Sequence, residues 1–127
     1  MDCVARVPGV IAVAAATEET DTNNLLGKAG SYYARIVFSY ELVGNSSAQG
    51  ANLVAQGTDC GGSIEVFNTA EDAEKRSVYL GAFDGTVFAS GSHTVIGTVL
   101  VRTSDKLTAS QQKELEANII EILTTVS

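Results

Sequence analysis

Between Tyr32 and Leu42 the side chains alternate in character. Tyr32, Ala34, Ile36, Phe38 and Tyr40 fall on one side, and Tyr33, Arg35, Val37 and Ser39 on the other. Successive side chains of a strand point to opposite faces, so the pattern predicts a half-buried strand with its aromatic face inward. A second β-type run, Ile64 to Phe67, starts after Gly61-Gly62 and stops at Asn68. Thr69 then offers a side-chain oxygen to the free amides of a new helix, with Asp72 three residues on. Glu71, Asp72 and Glu74 come early in that helix and Lys75 and Arg76 follow, an order that complements the helix dipole. Ala73, Leu80 and Phe83 gather near one face, and the helix is expected to stop at Phe83 because Asp84-Gly85 is turn chemistry. His93 to Arg102 is the longest β-type run in the chain. A full capping box, Thr108-Ala109-Ser110-Gln111, opens a last helix, whose Leu115, Ile119, Ile122 and Val126 recur at intervals of three or four. Lys113, Glu114 and Glu121 occupy its other face.

Upstream, Val10 to Thr17 is a short apolar run whose β-branched front half and flanking Gly9 favour a strand over a helix end. Glu18 to Ser31 and Gly44 to Gly50 read as loops, and Ala51 to Gln56 is too short and mixed to assign. The order is therefore β, β, β-α-β, α. One sheet of about four strands with both helices on one face would bury both apolar stripes. The expected fold class is α+β: a two-layer sandwich with a mainly antiparallel sheet, ferredoxin-like in outline, in one domain over residues 1–127.

The chain has 127 residues, 45% of them hydrophobic and 18% charged. A domain of this size buries roughly two-thirds of its unfolded surface, enough for a core without metals or staples. The formal net charge of −7 repels phosphate backbones, which argues against nucleic acid and anionic membranes as partners. The apolar run from Val10 ends at Glu18-Glu19, well short of the roughly 18 to 20 residues of a membrane span. The chain opens Met1-Asp2-Cys3 without a visible signal peptide, a start compatible with a leader or anchoring segment upstream. Cys3 and Cys60 lack metal-site spacing; one disulfide and two unrelated thiols explain them equally well.

Four groups of residues invite chemistry. Glu19, Asp21 and Asn23 alternate in an acidic turn, an arrangement that suits a hard cation such as calcium. Gly30 stands where a twelfth-position glutamate would be, and the plainer reading is a solvated turn. His93, the one histidine, would need a carboxylate such as Asp84 or Asp105 to activate a serine, and no nucleophile elbow is present. The plainer reading is a strand-entry histidine bonded to a loop. Arg76, Tyr79 and Arg102 are the residues for a small anion or carboxylate pocket, unless each arginine pairs with a nearby acid such as Asp72. Of Tyr32, Tyr33 and Tyr40, alternation leaves Tyr33 as the candidate for an exposed, sticky surface.

About two-thirds of the chain, its second half above all, resembles a family of uncharacterised domains from secreted or lipid-anchored proteins of Gram-positive bacteria. Gly61-Gly62-Ser63-Ile64-Glu65-Val66-Phe67 and Ala70-Glu71-Asp72-Ala73-Glu74-Lys75-Arg76 carry the resemblance. Phe83-Asp84-Gly85, Ser90-Gly91-Ser92-His93, and Leu107-Thr108-Ala109-Ser110-Gln111-Gln112 continue it. It implies an extracytoplasmic address and brings no activity with it. In that family the acidic loop reads Asp-x-Asp-x-Asn-Gly, whereas Glu19 stands here at its first position and Asn24 at its last. The expected function is a non-catalytic interaction or assembly module of a bacterial surface protein, with weak self-association through an exposed strand edge as a further route to contact. A small extracellular hydrolase or ligand-binding protein using His93 is the alternative.

Overall fold

The computed structural model describes residues 7, 9–21, 25–41, 43, 54, 61–82, 92–104 and 106–125. Among them run strands β1 (Val10–Ala15), β2 (Ala34–Tyr40) and β3 (Gly61–Val66), helix α1 (Ala70–Gly81), strands β4 (His93–Ile96) and β5 (Val99–Thr103), and helix α2 (Ala109–Thr125). The strands form one five-stranded sheet in the order β1-β2-β3-β5-β4. Every neighbouring pair is antiparallel. The class is thus α+β, as expected, with five strands rather than about four.

The fifth strand comes from splitting the run His93 to Arg102. Gly97 takes φ 61° at the first of two turn positions, and Ile96 pairs with Val99 across it. A two-residue hairpin needs a positive φ at that place, which glycine adopts without strain. The hairpin folds β5 back between β3 and β4, so β3 and β4 run parallel with β5 between them.

The helices lie on opposite faces of the sheet, not on one. Leu100 packs with Ala73 and Leu80 of α1. Val101, its neighbour along β5, packs with Leu115 and Ile119 of α2. Adjacent strand residues point to opposite faces, so the layers are α1, sheet, α2. Burying one face alone would leave Val37 and Leu100 in water, and both are fully buried. The ferredoxin-like outline, with its helices on one side, is replaced by this arrangement. Arg35 and Ser39, which alternation assigned to the solvent side of β2, are buried as well.

The α2 side holds the larger core: Phe38, Ile64, Val66, Val101, Leu115 and Ile119, with Tyr40 at its end. On the α1 side Tyr32, Phe67, Ala73, Leu80 and Leu100 make a smaller one. Tyr32 therefore lies on the face opposite to Phe38 and Tyr40. The chain is irregular at 31–33 and β2 begins only at Ala34, so the alternation does not extend back to it. Tyr33 is exposed, as expected.

Both helix starts follow their cap chemistry. The amide of Asp72 donates to Thr69 Oγ1 at 3.1 Å. At α2, Gln111 N donates to Thr108 Oγ1 at 3.2 Å and Thr108 N to Gln111 Oε1 at 2.8 Å. α1 ends at Gly81, before the expected Phe83. Phe83, Asp84, Asp105, Asn23, Cys3 and Cys60 lie outside the described residues, as does Val126.

Gly62 sits directly across from Phe38. A Cβ there would come within 2.6 Å of the Phe38 ring and 2.3 Å of the Arg102 carbonyl oxygen. Gly62→Ala should therefore cost about 1–3 kcal/mol by overpacking, seen as a lower urea midpoint with an unchanged slope.

Candidate functional site

The α1 face of the sheet carries charge where a core would usually carry methyl groups. Its first cluster begins in the turn after β1. Thr17 N donates to Thr20 Oγ1 at 2.8 Å, and Thr20 N donates to Thr17 Oγ1 at 3.2 Å. The Asp21 amide then donates to the Thr17 carbonyl oxygen at 2.9 Å, closing the turn. That closure delivers Asp21 to the buried Arg35, whose Nη1 lies 2.7 Å from Asp21 Oδ1. Oδ2 accepts from the Tyr32 hydroxyl at 2.7 Å and from the amides of Leu25 and Leu26 at 2.9 and 3.0 Å. One carboxylate thereby ties β1, β2 and the 25–31 loop together. Burial alone would raise its pKa, but the Tyr32 hydroxyl, the two amides and Arg35 together outweigh it and lower the pKa to about 2.

The second cluster centres on Glu65 of β3, which is fully buried and stands across from Arg35 on one side and Leu100 on the other. Arg102 Nη1 donates to its Oε2, and Arg76 Nε of α1 donates to its Oε1, each at 3.2 Å. Burial lowers the Arg102 pKa, Glu65 works against that, and the neighbouring Arg76 and Arg35 add to it. Among the described residues Arg35 pairs with Asp21, while Arg76 and Arg102 share Glu65 on this side of the sheet.

Beside the second cluster lies a cleft of about 440 Å³ between the 25–31 loop and α1. Leu25, Gly30 and Phe67 line one part of it and Lys75, Arg76 and Tyr79 another. The Arg76 guanidinium carbon lies 5.6 Å from the centroid of the Tyr79 ring, within cation–π range. With its Nε on Glu65, Arg76 keeps two terminal nitrogens that have no hydrogen-bond partner among the described residues.

The residues singled out from sequence are distributed as follows. Arg76 and Arg102 do meet, and the carboxylate between them is the protein's own Glu65. Sequence reasoning missed Glu65, whose one signal was a charge between Ile64 and Val66 in a short apolar strand. Arg76 reaches Glu65 rather than Asp72, and the surface pair on α1 is Lys75 with Glu71 at 3.3 Å. Tyr79 joins Arg76 at the cleft. His93 Nδ1 lies 3.1 Å from Ser77 Oγ, a contact that pins α1 to β4, and neither residue lines the cleft. Of the acidic turn, Asp21 is buried and Glu19 is exposed. A calcium ion at Asp21 would compete with the four donors that already surround its carboxylate. Among the described residues no three His, Cys, Asp or Glu side chains gather as metal ligands.

No protein-family model, curated protein or solved structure matches this chain.

Two substitutions test the buried charges. Asp21→Asn removes the charge that Asp21 sets against the buried Arg35 and should cost about 3–5 kcal/mol in urea unfolding at neutral pH. Because the folded pKa of Asp21 is depressed, its ionisation stabilises the fold fully above about pH 4, and that contribution is lost as pH falls towards 2. It amounts to about 2 kcal/mol, so the variant should show a shallower fall in stability over that window. Glu65→Gln removes the carboxylate that Arg76 and Arg102 share, again at a cost of about 3–5 kcal/mol. Combining it with Arg102→Met should recover part of that loss in a double-mutant cycle, and strictly additive losses would show that the two residues are not coupled.

Proposed function

We propose that this chain is a non-catalytic binding module that uses the cleft between the 25–31 loop and α1. The observation that carries the reading is Arg76: a guanidinium fixed through Nε to a buried carboxylate, with its terminal nitrogens left over at a partly apolar cleft. A binding site needs this combination of a positioned polar group and apolar walls, and 440 Å³ falls within the usual range for small ligands. The buried acids support it too, since Asp21 and Glu65 are engaged in ion pairs with arginines inside the fold. The half-exposed Tyr79 ring of α1 adds apolar surface at the opening.

The setting, outside the cytoplasm in a bacterial surface protein, rests on the resemblance of the second half of the chain. Labelling of intact cells with an antibody to the domain tests it, and signal only after lysis would remove it. The Ser77–His93 contact is the observation that favours a hydrolase instead. Covalent labelling of Ser77 by a fluorophosphonate reagent would put that reading first.

For the cleft itself, a fragment library screened against the isotope-labelled protein by NMR should yield hits whose amide shifts cluster at residues 25–31 and 75–79. Hits that map elsewhere, or none at all, would overturn the binding reading.

A further inference from the structure

We infer that the ligand of this cleft is a small organic monocarboxylate with a flat apolar body, its acid group on Arg76 and its body against Phe67 and Tyr79. The inference rests on the binding reading above and adds the ligand's chemistry to it.

Charge is the first argument. Among the described ion pairs Arg76 and Arg102 share one carboxylate, Glu65, and Arg76 is the arginine that lines the opening. The remainder of the chain is acidic, with a net charge of −7. Such a surface repels polyanions and tolerates one negative charge at a locally positive spot.

Geometry is the second. Arg76 is held at two points, by Glu65 on its Nε and by the Tyr79 ring at 5.6 Å. Its terminal nitrogens present parallel N–H groups, which match the two oxygens of a carboxylate. Two fixed points mean that little side-chain entropy is lost when the acid arrives. Lys75, already paired with Glu71 at the surface, adds a second cation at the margin without fixing an orientation.

The lining is the third. Leu25 and Phe67 offer apolar surface, and Tyr79 is a half-exposed aromatic ring beside the guanidinium. An inorganic anion would leave those surfaces in water, whereas an aryl or similar flat group would cover them.

The experiment is an NMR titration of the intact protein with three probes: phenylacetate, its neutral isostere phenylacetamide, and inorganic phosphate. Phenylacetate should shift the amides of residues 25–31 and 75–79 and bind at least about tenfold more tightly than the amide, the margin of a lost charge-assisted hydrogen bond. Phosphate should bind more weakly than phenylacetate. Equal binding of acid and amide in the cleft would overturn the carboxylate assignment while leaving the cleft as a binding site. Phosphate binding as tightly as phenylacetate would overturn the apolar body. Failure of all three to shift the cleft, with fragments failing there too, would remove the binding reading itself. Arg76→Gln should abolish the preference for acid over amide, and Tyr79→Ala should weaken both about equally. Spectral dispersion reports whether each variant is folded. Lys75→Gln, at an exposed position, should keep the preference; its loss there would move the acid's partner from Arg76 to Lys75 and overturn the assignment.

Discussion

Glu65 is a carboxylate in the interior of a sheet, and a charge in that position must be neutralised where it stands or the fold gives way. The partners come from two directions: Arg102 from the adjacent strand and Arg76 from the helix above. The ion pairs therefore do more than balance charge. They set where α1 lies over β3 and β5, and the small apolar core of Ala73, Leu80 and Leu100 fills in beside them. Apolar contact alone has no direction, whereas the Arg76–Glu65 bond fixes one point of the helix over β3.

Asp21 plays the corresponding part at the other end of the same face. It gathers an arginine, a tyrosine hydroxyl and two loop amides, so the 25–31 loop is fastened to the sheet by its own backbone. The Tyr32 ring that reaches this carboxylate also meets Phe67 edge-on at 5.9 Å. The cleft lies between these two anchored segments, with Asp21 holding the loop and Glu65 holding the helix. Its shape is thus a by-product of charge neutralisation, and Arg76 belongs both to the buried pair and to the opening.

How far the sequence discloses this depends on the range of the interaction concerned. Cap chemistry is local, so Thr69 and Thr108 mark both helix starts within a few residues. The β-turn at Gly97 is equally local, and a glycine inside an apolar run was a visible sign of it, yet the unbroken β-type character from His93 to Arg102 hides the hairpin. The helices' positions on opposite faces are of another kind. Arg35, Ser39, Ser63 and Glu65 look like the solvent side of alternating strands. They are buried because partners distant in sequence cover and neutralise some of them, and alternation carries no information about those partners. Asp21 shows the boundary well. The acidic turn identifies a carboxylate in want of positive charge; that Arg35 supplies it depends on β1 pairing with β2.

The insertion of β5 between β3 and β4 bears on how the chain assembles. As it leaves the ribosome, the segment through Ile96 already contains β3, α1 and β4, but the ladders that join β4 to the rest of the sheet, through β5, await Val99–Thr103. Until then Glu65 has Arg35 of β2 beside it but lacks Leu100 and Arg102 of β5. The seams on either side of β5 are consequently the last of the sheet to close, and the Arg102–Glu65 pair closes with them.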